Sequence, residues 1–315
     1  MKNLGVLGSG TMGFGIAFYF AIHDYQTLVY DVNDEALNKA KEKYDVYYDL
    51  FLQQGYPLLV TKEQGRANLT WTTDVTAFTE SDLIIESVVE VLPIKQQLFQ
   101  ALDGIVKEEA ILASNTSSFT LSSIMQDVER MKNRVLLTHF FNPAQIVPLV
   151  ELLSGEHTAP EVMTKVHAFF EKINKTPVTI KKELPGLVAN RIQTALAREA
   201  LALVEDGVIS MDDLEKVLFD GPGFRYATSG LLKIMDFGGL DVWDKVLTNL
   251  QGEIESSVRP FPMIKERVAK EKYGIKTGEG FFTYPGGSFD ELVLVRDGEL
   301  LQHLLHTHHV QKEEK

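Results

Sequence analysis

Two ionisable residues interrupt apolar runs at a spacing that suits proton transfer. In "LLTHFFNP" (136–143) His139 ends a strand-like run, and in "PLVELLSG" (148–155) Glu151 stands alone among Leu149, Val150, Leu152 and Leu153. A lone buried carboxylate costs several kcal/mol or neutralises itself. Two such groups on adjacent strands satisfy each other. A neutral imidazole there can take a proton from an alcohol while hydride leaves the same carbon. A carboxylate against the other ring nitrogen fixes the tautomer and favours the cation. General base catalysis of this kind is worth on the order of 10²–10⁴ in rate. Taken singly, each residue has a plainer reading: a satisfied core histidine, and an edge-strand carboxylate facing water. The pair is favoured because a dinucleotide signature stands beside it.

That signature is "LGVLGSGTMGFG", in which Gly8, Gly10 and Gly13 have the G-x-G-x-x-G spacing, with Thr11 and Met12 inside the loop. Gly8 allows a tight turn, Gly10 lets a pyrophosphate approach the backbone, and Gly13 lets helix and strand pack closely. The free N–H groups of the following helix stabilise phosphate charge. A second strand, "TLVYD", ends in Asp31, eighteen residues after Gly13. A carboxylate there accepts from both ribose hydroxyls of an adenosine and repels a 2′-phosphate. Val32 and Asn33 offer no arginine to receive such a phosphate, so the expected cofactor is NAD. The plainer reading of Asp31, a turn or cap residue before the next helix, is compatible with this role.

Positioning these groups requires strands that end on one side of a sheet. Apolar runs predict strands at 3–7, 27–31, 69–73, 82–86, 110–113, 134–140, 147–152 and 176–181. Amphipathic stretches predict helices around 12–23, 34–54, 92–106 and 159–173. The alternation implies βαβ units, and so an α/β fold with a Rossmann-like, doubly wound, mainly parallel sheet. Ligands sit beyond the carboxyl ends of such strands. After "KKELPG" the pattern turns helical for about a hundred residues, with Val188, Ile192, Ala195, Leu196 and Leu203 near a 3.6-residue period. The expected domains are 1–184, binding the dinucleotide, and 185–315, all helical.

The charge of -13 repels polyphosphate backbones, which argues against nucleic acid as a partner. Any anionic ligand then needs local basic residues or helix N-termini. With no cysteine, thiolate catalysis and thiolate zinc sites are excluded. That fits a cytoplasmic protein. The uncharged stretch 3–23 is broken by five glycines and reads as neither signal nor membrane span. The terminal "HLLHTHHVQKEEK" holds four of the eight histidines. It is read as a solvated tail, and no metal site is expected.

"GSGTMGFGIA", "ASNTSS", "HFFNP", "PLVELL", "PGLVANRI" and "GIKTGEGFF" occur in an order and spacing that resembles the 3-hydroxyacyl-CoA dehydrogenase family, over roughly residues 1–285. The chain looks like the short bacterial 3-hydroxybutyryl-CoA type. The resemblance implies that His139 is the acid/base and Glu151 its partner. It implies that Ser117 and Asn190 hydrogen-bond the substrate, with Asn142 close by and also toward the cofactor. Glu90, Lys95, Asn115 and Lys276 fall on the cofactor side by the same similarity. Lys95 also has a plain reading as part of a solvated helix face, and the Ser-Asn-Thr-Ser cluster as a turn. The family's second domain implies a homodimer that closes over the substrate.

Two departures bear on the substrate. Close relatives often carry a lysine-rich helical hairpin where the CoA phosphates lie, whereas this chain has only Lys62 and Arg66 there. In "GPGFRYATSG", Arg225 and Tyr226 occupy a segment expected to face substrate. That pattern is similar to branches acting on free hydroxy acids, such as gulonate or carnitine dehydrogenases. The leading expectation is an NAD-dependent dehydrogenase of a short-chain (3S)-3-hydroxyacyl-CoA. Its alternatives are a dehydrogenase of a free 3-hydroxy acid held by the Arg225 fork, and a non-catalytic NAD-binding protein resembling lens lambda-crystallin.

Overall fold

The computed structural model describes residues 1–307. The histidine-rich tail extends outside that range at His308 and His309. Among the described residues two compact units form: Met1–Leu187 together with 296–307, and Val188–Val295. Of the expected helical block, 185–315, the described residues 296–307 group with the first unit.

The first unit is built on eight strands: β1 (Asn3–Leu7), β2 (Gln26–Tyr30), β3 (Leu69–Thr72), β4 (Leu83–Glu86), β5 (Ile111–Ser114), β6 (Val135–Phe140), β7 (Leu149–Ser154) and β8 (Thr176–Ile180). All eight predicted strands are present, within two residues at either end. They form one sheet in the order β3-β2-β1-β4-β5-β6-β7-β8. Every pairing is parallel except β6–β7. The exception follows from connectivity. Parallel neighbours need a crossover, whereas residues 141–148 join β6 to β7 directly as a long hairpin loop.

Helices α1 (Thr11–Ile22), α2 (Asp34–Gln53), α3 (Lys62–Ala67), α4 (Leu92–Ile105), α5 (Leu121–Ile124) and α6 (Pro160–Lys172) belong to this unit. From Gly13 to Ile22 every α1 residue is buried, so this helix has no polar face to reveal by periodicity. Its Phe14 and Phe18 meet Tyr44, Tyr47 and Phe51 of α2 at centroid separations of 5.1–5.9 Å. Burying each such ring stabilises the unit by roughly 1.5–3 kcal/mol. Asn33 caps α2 by accepting from Glu35 N at 2.8 Å, which frees Asp31 from the cap role.

The second unit is helical: α7 (Ala189–Glu205), α8 (Met211–Leu218), α9 (Phe224–Tyr226), α10 (Leu231–Gly238), α11 (Leu240–Leu250) and α12 (Pro262–Ala269). A last helix, α13 (Phe289–Thr307), follows it and passes into the first unit at Arg296. No helix among the described residues is long and apolar enough to cross a membrane.

Candidate active site

Beyond the carboxyl ends of β1, β2 and β4 lies a cleft of about 720 Å³. Gly8, Gly10, Thr11, Met12, Asp31, Glu90, Lys95 and Asn115 all line it, so eight residues scattered over the first 115 positions converge there. The glycines behave as their spacing demands. Gly8 takes φ +93°, a left-handed conformation that glycine adopts without strain. A Cβ on Gly13 would stand 1.9 Å from the Gly8 carbonyl oxygen, so only hydrogen fits between helix and turn. At Gly10 a Cβ would meet nothing within 4 Å, leaving open space at the N-terminus of α1. No side chain caps that end, so its N–H groups are available to a phosphate. Asp31 Oδ2 accepts from both N and Oγ of Ser9 at 2.8 Å, which ties the carboxylate to the glycine turn. These features fit a dinucleotide.

Lys95 departs from its plain reading. It is 1% exposed, with Nζ 2.6 Å from Glu86 Oε1 and 3.0 Å from Glu90 Oε2. Ser114 Oγ donates to Glu86 Oε2 at 2.6 Å, the Val88 N–H donates to Oε1 at 2.9 Å, and Thr116 Oγ1 donates to Glu90. Sequence reasoning missed Glu86, Ser114 and Thr116. The signal for Glu86 was nonetheless present: "LIIE" ends an apolar strand with a carboxylate, the same anomaly that drew attention to Glu151.

His139 and Glu151 are directly opposed in the β6–β7 register, and both are buried. His139 Nδ1 lies 2.8 Å from Glu151 Oε2. Directly opposed residues present their side chains on one face, so the antiparallel exception in the sheet is what brings the two together. The bond engages Nδ1 and leaves Nε2 for a substrate. Asn115 connects this pair to the cleft: its Oδ1 accepts from Phe140 N at 2.8 Å, and its Nδ2 donates to Ser87 Oγ at 3.2 Å.

Other predicted positions are dispersed. Ser117 is half-buried in the loop after β5, and Asn142 is exposed in the loop after β6. In the second unit, Asn190 lies in the first turn of α7, Arg225 is exposed on α9, and Lys276 is exposed in the turn closed by the Gly274–Glu279 bridge. Lys62 and Arg66 on α3 are each taken by a carboxylate of α2. Lys62 Nζ lies 2.8 Å from Asp49 Oδ2, and Arg66 Nη2 2.5 Å from Asp45 Oδ1. Among the described residues no cluster of three or more histidines and carboxylates could hold a metal.

Residues 3–184 match the domain family described as 3-hydroxyacyl-CoA dehydrogenase, NAD binding domain, and residues 186–284 match its C-terminal domain. A 5-formyl-3-hydroxy-2-methylpyridine 4-carboxylate 5-dehydrogenase of Mesorhizobium japonicum is 33% identical over 285 residues, covering 90% of this chain and 91% of that protein. A 3-hydroxybutyryl-CoA dehydrogenase of Clostridioides difficile is also 33% identical, covering 90% and 99%. The solved structure of a 5-formyl-3-hydroxy-2-methylpyridine 4-carboxylic acid 5-dehydrogenase, described as an NAD+-dependent dismutase, superposes with a TM-score of 0.87 at 32% identity, covering 96% of each chain.

Proposed function

The chain belongs to the 3-hydroxyacyl-CoA dehydrogenase family of NAD-dependent oxidoreductases, and from that premise we propose that it interconverts a hydroxyl and a carbonyl with His139 as acid/base and Glu151 as its partner. The observation that carries this reading is the 2.8 Å bond between His139 Nδ1 and Glu151 Oε2 on directly opposed strand positions. In the oxidative direction Nε2 takes the hydroxyl proton, and Glu151 stabilises the imidazolium that results. NAD, held by the glycine loop and Asp31, supplies the hydride acceptor. Glu90, Lys95 and Asn115 complete the cofactor cleft. Ser117, Asn142 and Asn190 are assigned to neutral hydrogen bonds with the substrate's oxygens, which do not compete for the proton. Lys276 stays assigned to the cofactor by family resemblance alone.

For the substrate we place a small free carboxylate ahead of an acyl-CoA. Two observations support this order. Lys62 and Arg66, the basic candidates for CoA phosphates, are already paired with Asp49 and Asp45. The pyridine carboxylate dehydrogenase, whose named substrate carries a free carboxylate, superposes over nearly the whole chain. Arg225, exposed and without an ion pair among the described residues, is the proposed carboxylate fork. The acyl-CoA reading retains the support of the 3-hydroxybutyryl-CoA dehydrogenase relative. A homodimer through the helical unit is proposed as well, supported by its exposed Ile192, Phe219, Phe224, Leu232 and Phe237.

The deciding experiment measures NADH oxidation with acetoacetyl-CoA against a panel of free oxo acids and the pyridine aldehyde carboxylate. Turnover of a free acid with acetoacetyl-CoA inert is expected. Efficient turnover of acetoacetyl-CoA alone would reverse the order.

A further inference from the structure

The residues joining His139 to Glu151 are held from two directions by side chains that no part of the proposed chemistry uses. The connection is eight residues long (141–148), and a loop of that length does not by itself dictate strand register as a two-residue turn does. Register matters here because a slip of one residue would turn His139 to the opposite face of the sheet from Glu151.

From one side, Lys175 Nζ donates to the carbonyl oxygens of Ala144 at 2.6 Å and Val147 at 2.9 Å, while standing 3.9 Å over the Tyr19 ring of α1. From the other, Gln145 Nε2 donates to Asp297 Oδ2 at 3.2 Å. Asp297 is fully buried on α13. Its Oδ2 also accepts from the Tyr47 hydroxyl of α2 at 2.9 Å, and its Oδ1 accepts from Arg296. The same loop presses on the cofactor helix, since a Cβ on Gly15 would stand 2.4 Å from Gln145 Oε1 and 3.3 Å from the Ala144 Cβ. A buried carboxylate is tolerated only when its acceptors are filled. Here they are filled by donors from α2, from α13 and from the loop that carries His139 into Glu151. Asp297 lies beyond residue 284, where the match to the C-terminal domain family ends.

We propose that Asp297 is a positioning residue for the His139–Glu151 pair, acting through Gln145, so that the end of α13 is a working part of the active site. The inference rests on the reading of His139 as the acid/base. Asp297 sets the loop, the loop sets the register, and the register sets the imidazole against its carboxylate. None of Asp297, Gln145 and Lys175 lines the cofactor cleft, so the larger effect of the link is expected on the proton-transfer side.

The test reads His139 without needing a substrate. Imidazole ¹⁵N resonances are recorded for the wild type, Asp297→Asn and Gln145→Leu, with His157 and His167 as internal references and His139→Gln for assignment. NADH affinity is measured by fluorescence on the same samples. Displaced or broadened His139 signals are expected in both variants, with unchanged reference signals and NADH Kd within about twofold. Gln145→Leu keeps Asp297 with Tyr47 and Arg296, so it answers the question even if Asp297→Asn does not fold. A folded variant with wild-type His139 signals would overturn the proposal. The acid/base reading itself fails separately, if His139→Gln turns over normally.

Discussion

Lys95 Nζ lies 2.6 Å from Glu86 Oε1, with both side chains only 1% exposed, at the rim of the cofactor cleft. Removing one partner of such a pair strands the other as an uncompensated buried charge. Lys95→Met should therefore cost about 3–5 kcal/mol of unfolding free energy and weaken NADH binding. Guanidinium denaturation and a fluorescence titration check the two effects. A loss below about 1 kcal/mol would show that solvent reaches the pair.

The His139–Glu151 pair predicts a split between chemistry and binding. His139→Gln should lower kcat by at least about 10², with the NADH Kd nearly unchanged. Glu151→Gln should lower kcat as well, by removing the charge that stabilises the imidazolium. Near-normal turnover by His139→Gln would leave the histidine as core packing.

Asp31 predicts the cofactor preference. With a carboxylate tied to Ser9 at the end of β2, NADH should exceed NADPH in kcat/KM by about tenfold or more. Asp31→Ala should narrow that ratio. Equal efficiency with both cofactors in the wild type would remove Asp31 from the ribose site.

Lys62 and Arg66 predict a small effect where a CoA site would give a large one. Each forms a partly exposed ion pair with α2, so the double change to alanine should alter stability by no more than about 1 kcal/mol. KM for NADH and for a free-acid substrate should stay the same. A marked rise in KM for acetoacetyl-CoA, steepened by salt in the wild type, would restore the acyl-CoA reading.

His23 predicts a pH dependence of stability. Burial is the main cause that lowers its pKa from 6.5 to about 4. Nδ1 lies 2.7 Å from the Tyr19 carbonyl oxygen, which suits a neutral ring donating there. Between these values the unfolded chain binds a proton that the folded chain does not. Its contribution is therefore complete above about pH 6.5 and is lost as the pH falls toward 4, by up to about 3 kcal/mol. Urea denaturation across this range should show the slope, and His23→Gln should flatten it.

Much of this protein was already written in local pattern. The eight strands follow from short apolar runs, because strands of a covered parallel sheet are buried on both faces and need no alternation. The glycine loop was legible because each glycine answers a steric demand set within a few residues, as the 1.9 Å approach at Gly13 shows. His139 and Glu151 were legible as anomalies, since a charge inside an apolar run must find a partner. The sequence also nominated them as each other's partner on adjacent strands, but not the antiparallel register that opposes them. Only tertiary structure opposed position 139 to 151. Lys95 shows the limit from the other side: family resemblance put it on the cofactor side, but local pattern alone reads it as a solvated helix residue, and the carboxylates that enclose it come from β4 and the loop after it. Lys62 and Arg66 looked available because the acids of α2 that hold them, Asp49 and Asp45, lie 13 and 21 positions away. Asp297 gave no sign at all, because its donors are assembled from α2, the hairpin loop and α13, up to 250 positions apart. Local sequence states what a residue requires; the fold decides which distant atoms meet that requirement.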